Sequence, residues 1–129
     1  MKSPTSGIPA VRATAAVLLV ITLLAVVVSA AALDTSPSAI FASPDRFDGQ
    51  TVTVSGTISS LRERVSARGN PYYTFDLSDG TRAIRVFSFG RRPCPDASPV
   101  EVTGRFYREH RVGRYVLSDE VTATTVTCR

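Results

Sequence analysis

Tyr73-Thr74-Phe75-Asp76-Leu77 and Ile84-Arg85-Val86, joined across Ser78-Asp79-Gly80-Thr81, decide how this chain is read. In both arms the apolar residues fall at every second position, so each arm has one buried face and one exposed face. The Asp79-Gly80 pair supplies the positive φ that a tight hairpin needs. The stretch from Tyr72 to Phe89 is therefore expected to be the central hairpin of a small barrel. Phe87 and Phe89 fall on the parity opposite Ile84 and Val86, so they share a face with Arg85 unless a bulge near Ser88 resets the phase.

Upstream of the hairpin, Thr51 to Ser59 alternates strictly, with Val52, Val54 and Ile58 facing in and hydroxyls facing out. Gly56 takes an inward position, which points to a bend or a close backbone approach in a long first strand. From Leu61 the alternation breaks into an Arg-rich stretch ending at Gly69-Asn70-Pro71, read as a loop. Downstream, Arg91 to Pro99 carries Pro93, Pro95 and Pro99, which argues against a regular helix there. A fourth strand is expected over Val100 to Phe106, and Arg108 to Arg114 reads as a basic turn. A fifth strand is expected from Tyr115 to Leu117, resuming as Val121 to Val126 after Ser118-Asp119-Glu120.

The chain has 129 residues, and Ala13 to Leu33 is an unbroken apolar run interrupted by no charge. At ~1.5 Å of rise per residue a helix over that run is roughly 31 Å long, the thickness of a bilayer core. Lys2 and Arg12 precede it and Asp34 follows, which places the N-terminus in the cytoplasm and the remainder outside. Ser29-Ala30-Ala31-Ala32 offers small-residue cleavage sites, so residues 1–33 read either as a removable signal peptide or as a single transmembrane anchor. Either way the domain is expected to be exported. Residues 34–49 are expected to be a linker with one helical turn at Ala39 to Ala42, ending before Pro44. Residues 50–129 are expected to form one small domain with one core. Of 15 basic residues Lys2 and Arg12 lie before Asp34, leaving 13 arginines against 11 acidic residues in the part beyond Leu33, a mildly basic balance.

The pattern Val52-x-Val54-x-Gly56-x-Ile58, then Tyr73-x-Phe75-x-Leu77-x-Asp79-Gly80, then Ile84-x-Val86, then Val100-x-Val102-x-Gly104 resembles an OB-fold. It is most similar to the nucleic-acid-binding OB group that includes the anticodon-binding and exodeoxyribonuclease VII large-subunit domains. The resemblance covers roughly residues 50–126 and implies an all-β fold, a five-stranded Greek-key barrel, here preceded by an N-terminal hydrophobic helix. A second resemblance is one of layout: a membrane segment followed by an exported OB-fold is the plan of the haem chaperone of cytochrome c maturation. That family attaches haem through a His after the last strand. Here Val121 to Thr127 contains none, and the single His is His110, so no haem is expected.

Chemistry-bearing residues are few. Cys94 and Cys128 are the only cysteines, and in an oxidising compartment their pairing is expected, with two buried thiols as the other possibility. With no CxxC pair and one His, neither a redox motif nor a four-ligand metal site is indicated, and no cofactor is expected. One His and no nucleophile elbow or phosphate loop also argue against an enzyme. The resemblance implies a ligand face on the exposed side of the central hairpin, bordered by two loops. It would comprise Tyr72, Thr74, Arg85 and Phe87, with Arg62, Arg64 and Arg68 on one rim and Arg108, Arg111 and Arg114 on the other. Aromatic rings between arginines suit single-stranded nucleic acid, or another extended oligomer. The other reading open at this stage has those rings packing under the loops and the arginines pairing with Glu63, Glu101 and Glu109, in a structural or protein-interaction domain of the cell envelope.

Overall fold

The computed structural model describes residues 31–129. The apolar run from Ala13, read as signal or anchor, lies outside the described residues except for its last three positions. Among the described residues no helix is long and apolar enough to cross a membrane.

Six strands and two short helices follow in the order β1 (Leu33–Thr35), α1 (Pro37–Ala42), α2 (Pro44–Phe47), β2 (Thr51–Val65), β3 (Pro71–Ser78), β4 (Ala83–Phe89), β5 (Pro99–Val112) and β6 (Tyr115–Cys128). They form one mixed sheet of order β1-β2-β3-β4-β6-β5, and β2 also pairs with β5, so the last five strands complete a ring. β4 and β6 run parallel and the other neighbours in the ring run antiparallel. The alternation of period two is realised in the core. Val52, Val54, Ile58, Tyr73, Phe75, Leu77, Ile84, Val86, Val100, Val102, Phe106 and Val121 are all buried inside the ring. Phe87 and Phe89 lie on the Arg85 side, with no reset at Ser88, which is itself buried.

Closing the ring requires β2 to serve two partners. Thr51 to Thr57 pairs with β5 and Thr57 to Val65 with β3. Gly56 sits at this handover, where a Cβ would lie 2.4 Å from the Ser78 carbonyl oxygen. Only a residue without a side chain lets the two backbones approach this closely. The β3–β4 turn is held by Asp79, whose carboxylate accepts the N–H groups of Thr81 and Arg82, both at 2.9 Å. Gly80 beside it has φ of 93°.

Three strands are longer than the alternation predicted. β2 continues through Leu61 to Val65, read as loop, because Arg62 to Val65 pair with Thr74 to Pro71. β5 continues through Arg108 to Val112, read as a turn, and β6 runs unbroken through Ser118 to Glu120. Leu61 still packs against the core, but Arg62 to Val65, Arg108, Glu109 and Arg111 are exposed and held by the backbone ladder, and the positive φ of Ser60 and Asp119 interrupts the alternation in β2 and β6.

Residues 34–49, expected as a linker with one helical turn, are part of the folded unit, and the expected turn at Ala39 to Ala42 lies within α1. β1 pairs parallel with β2. Ser36 caps α1 by accepting the Ala39 N–H at 3.1 Å, and Pro37 takes the first helical turn, where its missing donor costs nothing. Ile40 and Phe47 enter the core. The Ser38 N–H donates to Asp79 Oδ2 at 3.0 Å and the Arg82 guanidinium lies 4.4 Å from the Phe41 ring centroid, which fastens α1 to the β3–β4 turn. The proline-rich connection after β4 has no helix. It is fastened by a disulfide between Cys94 and Cys128, Cα atoms 5.9 Å apart, and by Ala97 and Ser98 hydrogen bonds to the backbone of Ile58. Cys94 is buried in the core.

Candidate ligand groove

Cross-strand register sets the outward face of the central hairpin in rows. One row runs Arg64, Tyr72, Phe89 across β2, β3 and β4. The next runs Arg62, Thr74, Phe87 and, on β6, Thr122. The third runs Ser59, Asp76, Arg85 and Glu120. The β2–β3 arm and the β5–β6 arm rise on either side, and between them lies a groove of about 780 Å³. His110 lines the groove from β5, and Tyr115 and Leu117 line it from β6.

The rows differ in chemistry. The first two are aromatic: Tyr72 and Phe87 have ring centroids 5.4 Å apart, and Phe89 meets Phe87 edge-on at 4.9 Å. Phe89 is 70 % exposed and Tyr115 71 %, a large apolar area to leave in water at a site with no protein covering it. The third row is ionic. Arg85 Nε lies 3.2 Å from Asp76 Oδ1. Glu120 is only 8 % exposed, and this burial raises its carboxyl above the usual carboxylate range against the opposing pull of Arg85 and His110. No hydrogen bond or ion pair to the Glu120 side chain is formed among the described residues.

Of the residues expected on the ligand face, Arg62, Arg64, Tyr72, Thr74, Arg85 and Phe87 line this groove together. Arg68, Arg111 and Arg114 are exposed near the tips of the two arms and do not line it. Arg108 faces elsewhere. Its guanidinium pairs with Asp45 and its N–H donates to Asp48 Oδ1 at 3.0 Å, in a second hollow shared with Glu109, Ser118 and Asp119. Asp45 holds the Arg108 guanidinium charged beyond its ordinary range. Of the pairings weighed as the alternative, Glu63 meets Arg92 at 3.6 Å and Glu101 pairs with Arg129. Arg62 and Arg64 enter no ion pair among the described residues.

Sequence reasoning left out Phe89, Tyr115, His110, Asp76 and Glu120. Phe89 was findable, since its parity with Phe87 and Arg85 is plain along one strand. Tyr115, His110 and Glu120 reach the groove only because β6 lies parallel to β4, a long-range pairing with no local signal. Among the described residues no cluster of three or more His, Cys, Asp or Glu is placed to hold a metal ion.

No family model matches the chain, and no curated protein matches it either. Similar solved structures exist. The crystal structure of yeast Stn1 and Ten1 superposes with a TM-score of 0.57 at 10 % identity, covering 78 % of this chain and 64 % of that one. A putative aspartyl-tRNA synthetase from Leishmania major superposes with a TM-score of 0.57 at 14 % identity, covering 76 % of this chain and 21 % of that one. The OB domain of Ta0387 from Thermoplasma acidophilum gives a looser overlap, TM-score 0.47 at 20 % identity over 74 % of this chain and 86 % of that one. The chain thus spans less than two thirds of each of the first two. The ring of five strands in the order β2-β3-β4-β6-β5, with the first two of these overlaps, is an OB-fold.

Proposed function

We propose that this chain is an exported, non-enzymatic binding module whose groove takes an extended oligomer, single-stranded nucleic acid being the ligand its chemistry fits. The observation that carries this is the combination of groove-lining rings, Tyr72, Phe87, Phe89 and Tyr115, with Arg62 and Arg64 on the bordering arm, which enter no ion pair among the described residues. Successive bases stack on such rings for ~1–3 kcal/mol each, and guanidiniums on a rim meet the phosphates that run beside them. The name of one similar structure, an aspartyl-tRNA synthetase, is in keeping with a nucleic-acid ligand. Export is supported by the charge-flanked apolar run at Ala13 to Leu33 and by the disulfide, a bond that persists in oxidising compartments. The membrane is a further partner of residues 13–33 if they remain attached.

Fluorescence anisotropy of a labelled oligonucleotide, titrated with salt, tests the ligand. Binding at low salt with a log–log slope that falls by ~0.7 for each phosphate-contacting arginine removed is the expected result. Absence of binding at low salt overturns it and leaves the second reading, a protein-interaction domain of the envelope, to which the exposed Phe89 and Tyr115 are also suited. N-terminal sequencing of the mature protein distinguishes a chain cut near Ser29 to Ala32 from an anchored one.

A further inference from the structure

Glu120 is the group in the groove that the binding of rings and phosphates does not use. The residue is 8 % exposed, its carboxylate oxygens keep access to the groove it lines, and no hydrogen bond is made to its side chain among the described residues. Burying a carboxylate without partners is costly, and the cost is recovered when donors reach it. Its register neighbour on β4 is Arg85, one row from Phe87. Asp76 is already engaged by Arg85, so the open polar surface of this row is a guanidinium donor beside an acceptor-only carboxylate.

A base stacked on Phe87 presents its polar edge to that pair. Guanine offers an acceptor, O6, followed by two donors, N1–H and N2–H, which is the complement of a donor followed by a two-oxygen acceptor. Cytosine and adenine, turned so that the ring nitrogen meets Arg85, offer the carboxylate one amino donor and leave its second oxygen unpaired. Thymine and uracil flank their one donor with two carbonyl oxygens. We propose that Arg85 and Glu120 make the groove selective for guanine among the bases of a single strand. The selection rests on the reading of the groove as a nucleic-acid site. With any other base one oxygen of the largely covered Glu120 stays without a donor, a difference on the order of one hydrogen bond.

The test uses the full chain in mild detergent and labelled alternating repeats of equal length, thymine with guanine, thymine with cytosine and thymine with adenine, which avoid the four-stranded assemblies of pure guanine. The guanine repeat is expected to bind roughly tenfold more tightly than the other two. Glu120→Gln, near in shape but with a donor where an oxygen was, is expected to bring the three within about twofold by weakening the guanine repeat. Arg85→Gln removes the donor to O6 and is expected to shrink the same preference, which keeps the test alive if the first variant folds poorly. Equal affinity of the wild type for all three repeats, or an undiminished preference in both variants, overturns the guanine reading and leaves the oligomer site standing. Failure of every repeat to bind at low salt removes both.

Discussion

The groove and the hollow between α2 and the β5–β6 arm both hold arginines and carboxylates, and they differ in what their arginines have left to offer. In the hollow Arg108 is outnumbered by Asp45, Asp48, Glu109 and Asp119, and both its side chain and its N–H are engaged. In the groove Arg62 and Arg64 stand on a projecting arm with no carboxylate across from them: their cross-strand partners are Thr74 and Tyr72. An arginine on an exposed strand is thus a structural clamp or a ligand contact according to the residue opposite it. Its own type and its place in the sequence do not distinguish the two.

The largest change comes from removing the frame that both regions share. Replacing Cys94 and Cys128 by serine releases a closed loop of about 35 residues and is expected to cost roughly 3–4 kcal/mol in a denaturation midpoint measurement. An unchanged midpoint would mean that the proline-rich connection is held by its backbone hydrogen bonds alone. Next in size is Phe87→Ala, expected to weaken a bound oligonucleotide by ~1–3 kcal/mol in anisotropy, whereas Arg108→Ala in the hollow leaves the affinity unchanged. Smaller again is Arg62→Ala, which lowers the slope of log affinity against log salt by ~0.7. An equal drop from Arg108→Ala would erase the distinction between the two regions.

Two carboxylates sharpen it through pH. Burial raises the folded-state Glu120 above its unfolded value, so between the two values the native state holds the extra proton. Stability therefore falls as pH rises through that window, and the penalty is complete above it. Glu120→Gln is expected to raise the thermal midpoint at pH 7 and to match wild type at a pH below the ordinary glutamate range. Asp79 has the opposite sign. The N–H of Arg82, then Ser38 and the N–H of Thr81, depress its carboxyl far below its ordinary 3.8. Its contribution is present above that ordinary value and is lost as pH falls toward the depressed one. Asp79→Ala is expected to lower the thermal midpoint at pH 7 by a small margin that narrows on acidification, the smallest effect here because the carboxylate is fully exposed.

Legibility followed the physics of burial. Phe75, Leu77, Ile84 and Val86 could be assigned to the core because a strand with one wet face must alternate, and that constraint is written in neighbouring residues. Gly56 could be read as a close approach for the same local reason. The stretches from Arg62 to Val65 and from Arg108 to Val112 looked like loops because they leave the core, and a ladder in open solvent imposes no pattern on its side chains. Ile40 and Phe47 were hidden in a segment rich in Ser and Pro, where single apolar residues carry no period to detect.

The sequence by itself determined which side chains of each strand share a face, and so that Tyr72, Thr74, Arg85 and Phe87 would stand together outside the core. A two-residue period is a property of the chain and needs no partner. Only the tertiary structure decided that Glu120 lies beside Arg85, that Tyr115 and His110 close the far side, and that Arg108 is turned away and ion-paired. Those placements follow from β6 pairing with β4 and from α2 packing beside β5, contacts between segments far apart in sequence, whose register no local pattern encodes.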